Sequence, residues 1–266
     1  MRMRAGLALL CLIAALPTAS AQLAQQPSEP GRWIETEGGR VRLVLSGASP
    51  EGVVEGALEI DLKSGWKTYW SAPGPAGIPP VFDARASHNL TLTEVEFPVP
   101  TRFDDAYGTS IGYDHDVTFP LAFRLLDPSA PAELRLDGFM GICEEICIPV
   151  QISFAGPVMT GMSTSFEDAD VFTAARAALP AEGDAAKLTV EVTAESIAVT
   201  GEPVSEAGSE LFAGVTGDAA LGEPIRMPGG FEIPILRGTV GPSLAVVVVV
   251  DGKGTEYIVP LAREAR

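Results

Sequence analysis

At 266 residues, 46% of them hydrophobic, the chain is long enough for one or two domains with real cores. A formal net charge of −17 argues against DNA, RNA or an anionic membrane surface as partner, since these are held by basic patches. The chain has no Gly-rich phosphate loop, nucleophile elbow or metalloprotease motif, so the commonest nucleotide-binding and hydrolase readings fall away too.

Residues 1–21 read as a secretory signal peptide. Arg2 and Arg4 precede an apolar run from Ala5 to Leu16, and Ala19-Ser20-Ala21 offers a small-residue cleavage site before Gln22. The run is too short to span about 30 Å of hydrocarbon. Cys11 follows two leucines rather than the small residue of a lipoprotein signal, and it leaves with the signal. The exported chain then keeps only Cys143 and Cys147, in an oxidising compartment.

A polar lead over 22–31 gives way to alternating polar and apolar residues, as in half-buried strands. The strand candidates are Arg40–Gly47, Val53–Asp61, Asn89–Phe97, Asp116–Leu126 and Ala132–Ile142. Turn signals divide them at Ser46-Gly47, Ser64-Gly65, Pro73-Gly74-Pro75 and Asp127-Pro128, and the spacing predicts an all-β sandwich. Asn89-Leu90-Thr91 matches the glycosylation sequon, a pattern that is common by chance. A helix is expected from about Phe166 to Leu179, capped by Ser165 and closed by Pro180, acting as a connector. Beyond it, Lys187–Gly201, Phe231–Gly238 and Ala245–Leu261 predict a second β region, the last with an Asp251-Gly252 hairpin turn. The expected domains are 30–160 and 165–266, the second a smaller β-sandwich without cysteine or histidine.

The chemistry concentrates in "GFMGICEEICIPVQI", residues 138–152. Fully extended, the four steps from Cys143 to Cys147 cover about 13 Å, whereas a disulfide needs Cα atoms about 4.4–6.8 Å apart. A bond therefore requires a turn at Glu144-Glu145-Ile146, such as a tight connection between adjacent strands. Closing so short a loop contributes only about 2 kcal/mol, little for a chain this apolar. Two sulfurs held within reach of each other suit reversible exchange, in which one attacks and the other resolves. A plain structural staple is the bland alternative. The glutamates, if near the sulfurs, disfavour the thiolate and raise its pKa. Zinc lacks third and fourth ligands, since His88 and His115 are single and distant in sequence. Copper(I) held by the two sulfurs with Met140, Met159 and Met162 is a further alternative, against methionines used in packing.

"CEEICIPV" after an apolar strand resembles the periplasmic N-terminal domain of DsbD-type thiol–disulfide interchange proteins, and most closely the branch of the ScsB suppressors of copper sensitivity. "GWKTYWSAPGPAGIPP" (65–80), "NLTLTEVEFPVPTRF" (89–103) and "GYDHDVTFPL" (112–121) agree with it. The resemblance covers about Trp33 to Gly156. It implies an immunoglobulin-like fold in the periplasm with Cys143 and Cys147 as a redox-active disulfide; no cofactor besides that disulfide and no metal are expected, with copper(I) as the alternative above. It implies that Cys147 joins a partner in a mixed disulfide and that Cys143 resolves it. Residues 103–108 resemble a cap loop, which places Phe103, Asp104, Asp105 and Tyr107 over the pair and Tyr69 beside it. Ala106 stands where a bulky aromatic is usual in the family. The implied partners are periplasmic thioredoxin-like proteins, including disulfide isomerases and cytochrome c maturation factors. The family's transmembrane and thioredoxin-like domains are not seen in this sequence, so the expected donor is a separate membrane-embedded protein.

Overall fold

The structure, a computed structural model, describes residues 26–105, 108–159 and 166–261. The expected signal peptide and the Ser165 cap lie outside them. Alternating segments pair as antiparallel strands because each has one face to bury. The first sandwich comprises β1 (Trp33–Thr36), β2 (Gly39–Leu45), β3 (Val53–Leu62), β4 (Lys67–Tyr69), β5 (Val81–Asp83) and β6 (Leu90–Val95). It continues with β7 (Thr101–Asp105), β8 (Gly108–Tyr113), β9 (Val117–Leu125), β10 (Ala132–Cys143) and β11 (Cys147–Val158). One sheet runs β1-β2-β3-β9-β6, and the other runs β11-β10-β4-β8-β7 with β5 also on β10.

Between the sheets, Val41, Leu43, Leu58, Phe119 and Phe123 meet Leu134, Leu136, Met140, Ile152 and Phe154. Each such burial removes apolar surface worth about 1.5–3 kcal/mol. Along β10 burial alternates as far as Met140: Leu134, Leu136 and Met140 are buried, while Glu133, Arg135, Asp137 and Phe139 are exposed; the last three residues, Gly141 to Cys143, are all buried. Cys143 falls on the outward phase of that alternation. The expected strands form, and Asn89–Phe97 is trimmed to β6.

The helix α1 (Phe166–Ala177) ends two residues short of Leu179. It does more than connect, because Phe172 packs on Val44 and Ala57 on the outer face of the first sheet, and Arg176 Nη1 reaches Glu55 Oε1 at 2.7 Å. Asn89 has a structural job. At φ 52° its amide donates to the carbonyls of Asp127, Ala130 and Pro131 at 2.8–3.3 Å and accepts from the Asp127 N–H. The sequon nitrogen is thus committed to holding the turn before β10.

A second sandwich follows, from β12 (Ala181–Glu182), β13 (Leu188–Val192), β14 (Ser196–Gly201), β15 (Glu210–Gly217) and β16 (Ala220–Leu221). Strands β17 (Ile225–Met227), β18 (Gly230–Arg237), β19 (Val240–Val250) and β20 (Lys253–Pro260) complete it. Its sheets run β12-β20-β19-β15 and β13-β14-β18-β16, with β17 also on β18. The single run expected over Lys187–Gly201 is two strands. Thr193 Oγ1 accepts from the N–H groups of Glu195 and Ser196, a local hydroxyl-to-backbone turn that reverses the chain. Ile197, Val199 and Ile233 pack against Leu211, Val246 and Val248 as the second core. The two sandwiches share apolar contact as well: Phe212 and Val247 belong to the first core. No helix among the described residues is long and apolar enough to cross a membrane.

Candidate functional site

Strands β10 and β11 pair without a register shift from Ala132↔Val158 to Cys143↔Cys147. The two cysteines are therefore direct cross-strand partners at the end of a long hairpin. They form a disulfide, with Cα atoms 4.1 Å apart. The turn required at Glu144-Glu145-Ile146 is this hairpin loop.

The sulfurs differ in access. Cys143 is 1% exposed, while Cys147 is open to solvent, as are both glutamates and Ile146. Strand β4 lies on the other side of β10, with Lys67 opposite Cys143 and Thr68 opposite Ile142. Tyr69, one step on, shares the outer face with Cys143. Its hydroxyl lies 3.0 Å from Cys143 Sγ and 3.1 Å from Cys147 Sγ. Disulfide sulfurs carry no hydrogen, so the phenol donates. The same donor would bond a thiolate more strongly.

Gly141 makes room for this. A Cβ there would come within 3.0 Å of the Tyr69 ring and 2.8 Å of Ile78 Cβ. The missing side chain lets the phenol and the 71–80 segment lie flat on β10. Thr68 Oγ1, itself buried, donates to the Gly141 carbonyl at 2.9 Å and locks the two strands together.

The remaining expected residues sit on the β7–β8 hairpin. Phe103 is half-buried, and Lys67 Nζ lies 5.5 Å from its ring centroid, a cation–π distance. Asp104 is exposed and accepts from Thr109 Oγ1 at 2.8 Å, which braces the hairpin across its strands. Asp105 pairs with Gly108 at the end of the hairpin ladder. Tyr107 and Ala106 lie outside the described residues. The site contains three residues that sequence reasoning did not name: Lys67, Gly141 and Ile78. Lys67 and Ile78 lie inside the quoted 65–80 stretch, and Gly141 is the gap left in an otherwise regular alternation. Charge around the pair is mixed, since Lys67 is the cross-strand neighbour of Cys143. The Glu144 carboxylate turns toward Gly65, where an added Cβ would stand 3.5 Å from Oε1.

The copper alternative finds little support in the placement of its methionines. Met140 is fully buried in the core, on the face opposite Cys143, and Met159 lies just past the far end of β11. Met162 is outside the described residues. Among the described residues no three His, Cys, Asp or Glu side chains converge as a metal site needs. His88 pairs through its backbone with Glu133, and His115 is exposed beside Asp114.

An immunoglobulin-like β-sandwich with a disulfide at one hairpin end, one sulfur buried and one accessible, is the class of domain defined here. Residues 44–157, which run from β2 to β11 of the first sandwich, match the family described as Thiol:disulfide interchange protein DsbD, N-terminal. The N-terminal periplasmic domain of ScsB from Proteus mirabilis has a similar fold across both sandwiches. That match has 18% identity and a TM-score of 0.64, covering 90% of this chain and 100% of the other. A conserved domain protein from Bacillus anthracis aligns at 9% identity with a TM-score of 0.26, covering 88% of this chain and 91% of its own. The Pseudomonas aeruginosa CupB2 chaperone aligns at 12% identity with a TM-score of 0.23, covering 78% and 93%. Scores that low carry no argument. No curated protein matches the chain.

Proposed function

We propose that this protein is a periplasmic thiol–disulfide interchange module that passes reducing equivalents through Cys143 and Cys147 to thioredoxin-like partners. The observation that carries the reading is the asymmetry of the pair: one sulfur buried, one exposed, and a single phenol donating to both. An inert staple has no use for an accessible sulfur with its own hydrogen-bond donor.

The chemistry follows from that asymmetry. In the reduced protein the Cys147 thiolate attacks the partner's disulfide, and one partner sulfur leaves and takes a proton. Cys143, deprotonated, then attacks Cys147 Sγ, and the second partner sulfur leaves with another proton. Two electrons and two protons pass to the partner, and the chain is left with the disulfide of the structure. Tyr69 stabilises whichever sulfur is anionic. Phe103, Asp104, Asp105 and Tyr107 serve as the cap that limits access to the pair. A membrane-embedded donor restores the thiols, and export through a signal peptide places the protein in the periplasm.

The test has two arms. Equilibrated in thiol–disulfide buffers, the wild-type pair titrates reversibly at roughly −270 to −120 mV, the range of exchange proteins. Offered a thioredoxin that lacks its resolving cysteine and carries thionitrobenzoate on the other, so that the leaving thiol is released, Cys143→Ala accumulates a mixed disulfide through Cys147, and Cys147→Ala does not. A bond still oxidised below about −300 mV, where structural disulfides lie, sinks the proposal.

A further inference from the structure

Strand β7 and the end of β4 carry the site and, on adjacent residues, the contact with the second sandwich, Trp70 being the first residue past β4. On β4, Tyr69 reaches the sulfurs. Its neighbour Trp70, 3% exposed, meets Phe212 of β15 edge to face, with centroids 6.4 Å apart at 70°. On β7, Phe103 lies under Lys67. Its neighbour Arg102 turns the other way, and its guanidinium carbon stands 5.2 Å from the Phe212 ring centroid. Arg102 Nη2 also donates to the Leu211 carbonyl at 3.1 Å, and Nη1 lies 3.7 Å from Glu223 Oε1. Phe212 is 1% exposed and counts as part of the first core. Successive residues on a strand point to opposite faces, so a ring wedged on one face fixes what the other face presents.

We infer that Phe212 of the second sandwich is a positioning residue for the redox pair. Gripped by Trp70 and Arg102, it sets the ends of β4 and β7, and through them the phenol of Tyr69 and the ring of Phe103. The second sandwich is thus part of the device that tunes the disulfide. Gly214, two residues on, keeps the approach close: a Cβ there would meet Ala72 Cβ at 3.3 Å. Packing carries the coupling, since a shift of the wedge moves the donor that distinguishes thiolate from disulfide.

The inference rests on the pair being exchangeable, and the experiment separates the two ideas. The equilibrium constant with glutathione is measured for full-length wild type, Phe212→Leu, Arg102→Gln and a control, Ile233→Val, which trims the second core away from the contact. The alkylation rate of reduced Cys147 is followed in parallel. The two contact variants are expected to shift the equilibrium constant by about 2- to 30-fold, the span of couplings carried through packed networks, and to change the alkylation rate. The control keeps wild-type values. Arg102→Gln covers the case in which Phe212→Leu folds poorly. If wild type titrates reversibly and both contact variants match it, the positioning role is overturned while the exchange function stands. If wild type itself cannot be reduced, the exchange function fails first.

Discussion

Two hairpins in this molecule solve the same problem differently. Strands β19 and β20 pair from Ser243↔Pro260 to Val250↔Lys253 and turn on Asp251 and Gly252, at φ 49° and 75°. Those values suit the two-residue turn that matches strand twist, and Asp-Gly suits those values. Strands β10 and β11 pair as regularly but turn on Glu144, Glu145 and Ile146, none of which adopts positive φ. No Gly, Asn or Asp is present to favour that turn. One hairpin is closed by backbone chemistry, the other by its ladder and a covalent bond. Local turn rules fail at the place where chemistry is expected, as they tend to at functional sites. Because the cross-link adds only about 2 kcal/mol for so short a loop, the twelve paired positions of the ladder carry the reduced hairpin.

The sharpest way to break the comparison is Gly141→Val. Its side chain would occupy the space of the Tyr69 ring and Ile78, and overpacking of this kind costs about 1–3 kcal/mol. Exchange with thioredoxin is expected to fall about tenfold or more, with strand content by circular dichroism unchanged; wild-type exchange by this variant would remove Tyr69 from the site. Gly252→Val acts on the other hairpin. A β-branched residue forced to φ 75° costs about 1–2 kcal/mol, read as a lower urea midpoint, and the disulfide potential should not move.

The smallest effect belongs to Glu256 on β20. Burial, with Glu96 and Glu94 nearby, raises its carboxyl above the usual 4.5. Folding therefore opposes its ionisation. That cost is full above the raised pKa, fades as pH falls through it, and is gone below the unfolded value. Glu256→Gln should raise the urea midpoint slightly at pH 7, and the gain should vanish below about pH 4. A gain that persists in acid would show that packing, not charge, is responsible.

Much of this was legible in the sequence because it depends on period and spacing. The alternation of β2, β3, β9 and β10 announced the sandwich, and Asp251-Gly252 announced its hairpin. The cysteine spacing demanded a turn at 144–146. What stayed hidden depends on the third dimension. Lys67 is seventy-six positions from Cys143 yet its cross-strand partner. Strand β4 has three residues, too few for a period to show. Phe212 sits in β15, a strand outside the segments that alternation picks out, and nothing in the sequence marks it until the two sandwiches meet. The resemblance of residues 65–80 pointed to Tyr69, but only the register shows why position 141 must be glycine.

The pairing of Cys143 with Cys147 across an unbroken ladder bears on how redox state is communicated. The ladder sets the two residues face to face through main-chain pairing that does not involve the sulfurs. If the pair exchanges as proposed, gaining or losing the bond should ask for little rearrangement of the main chain, and the two forms are expected to present almost the same outline. A protein that docks here meets one shape carrying two messages, and it must tell them apart at the sulfur atoms themselves.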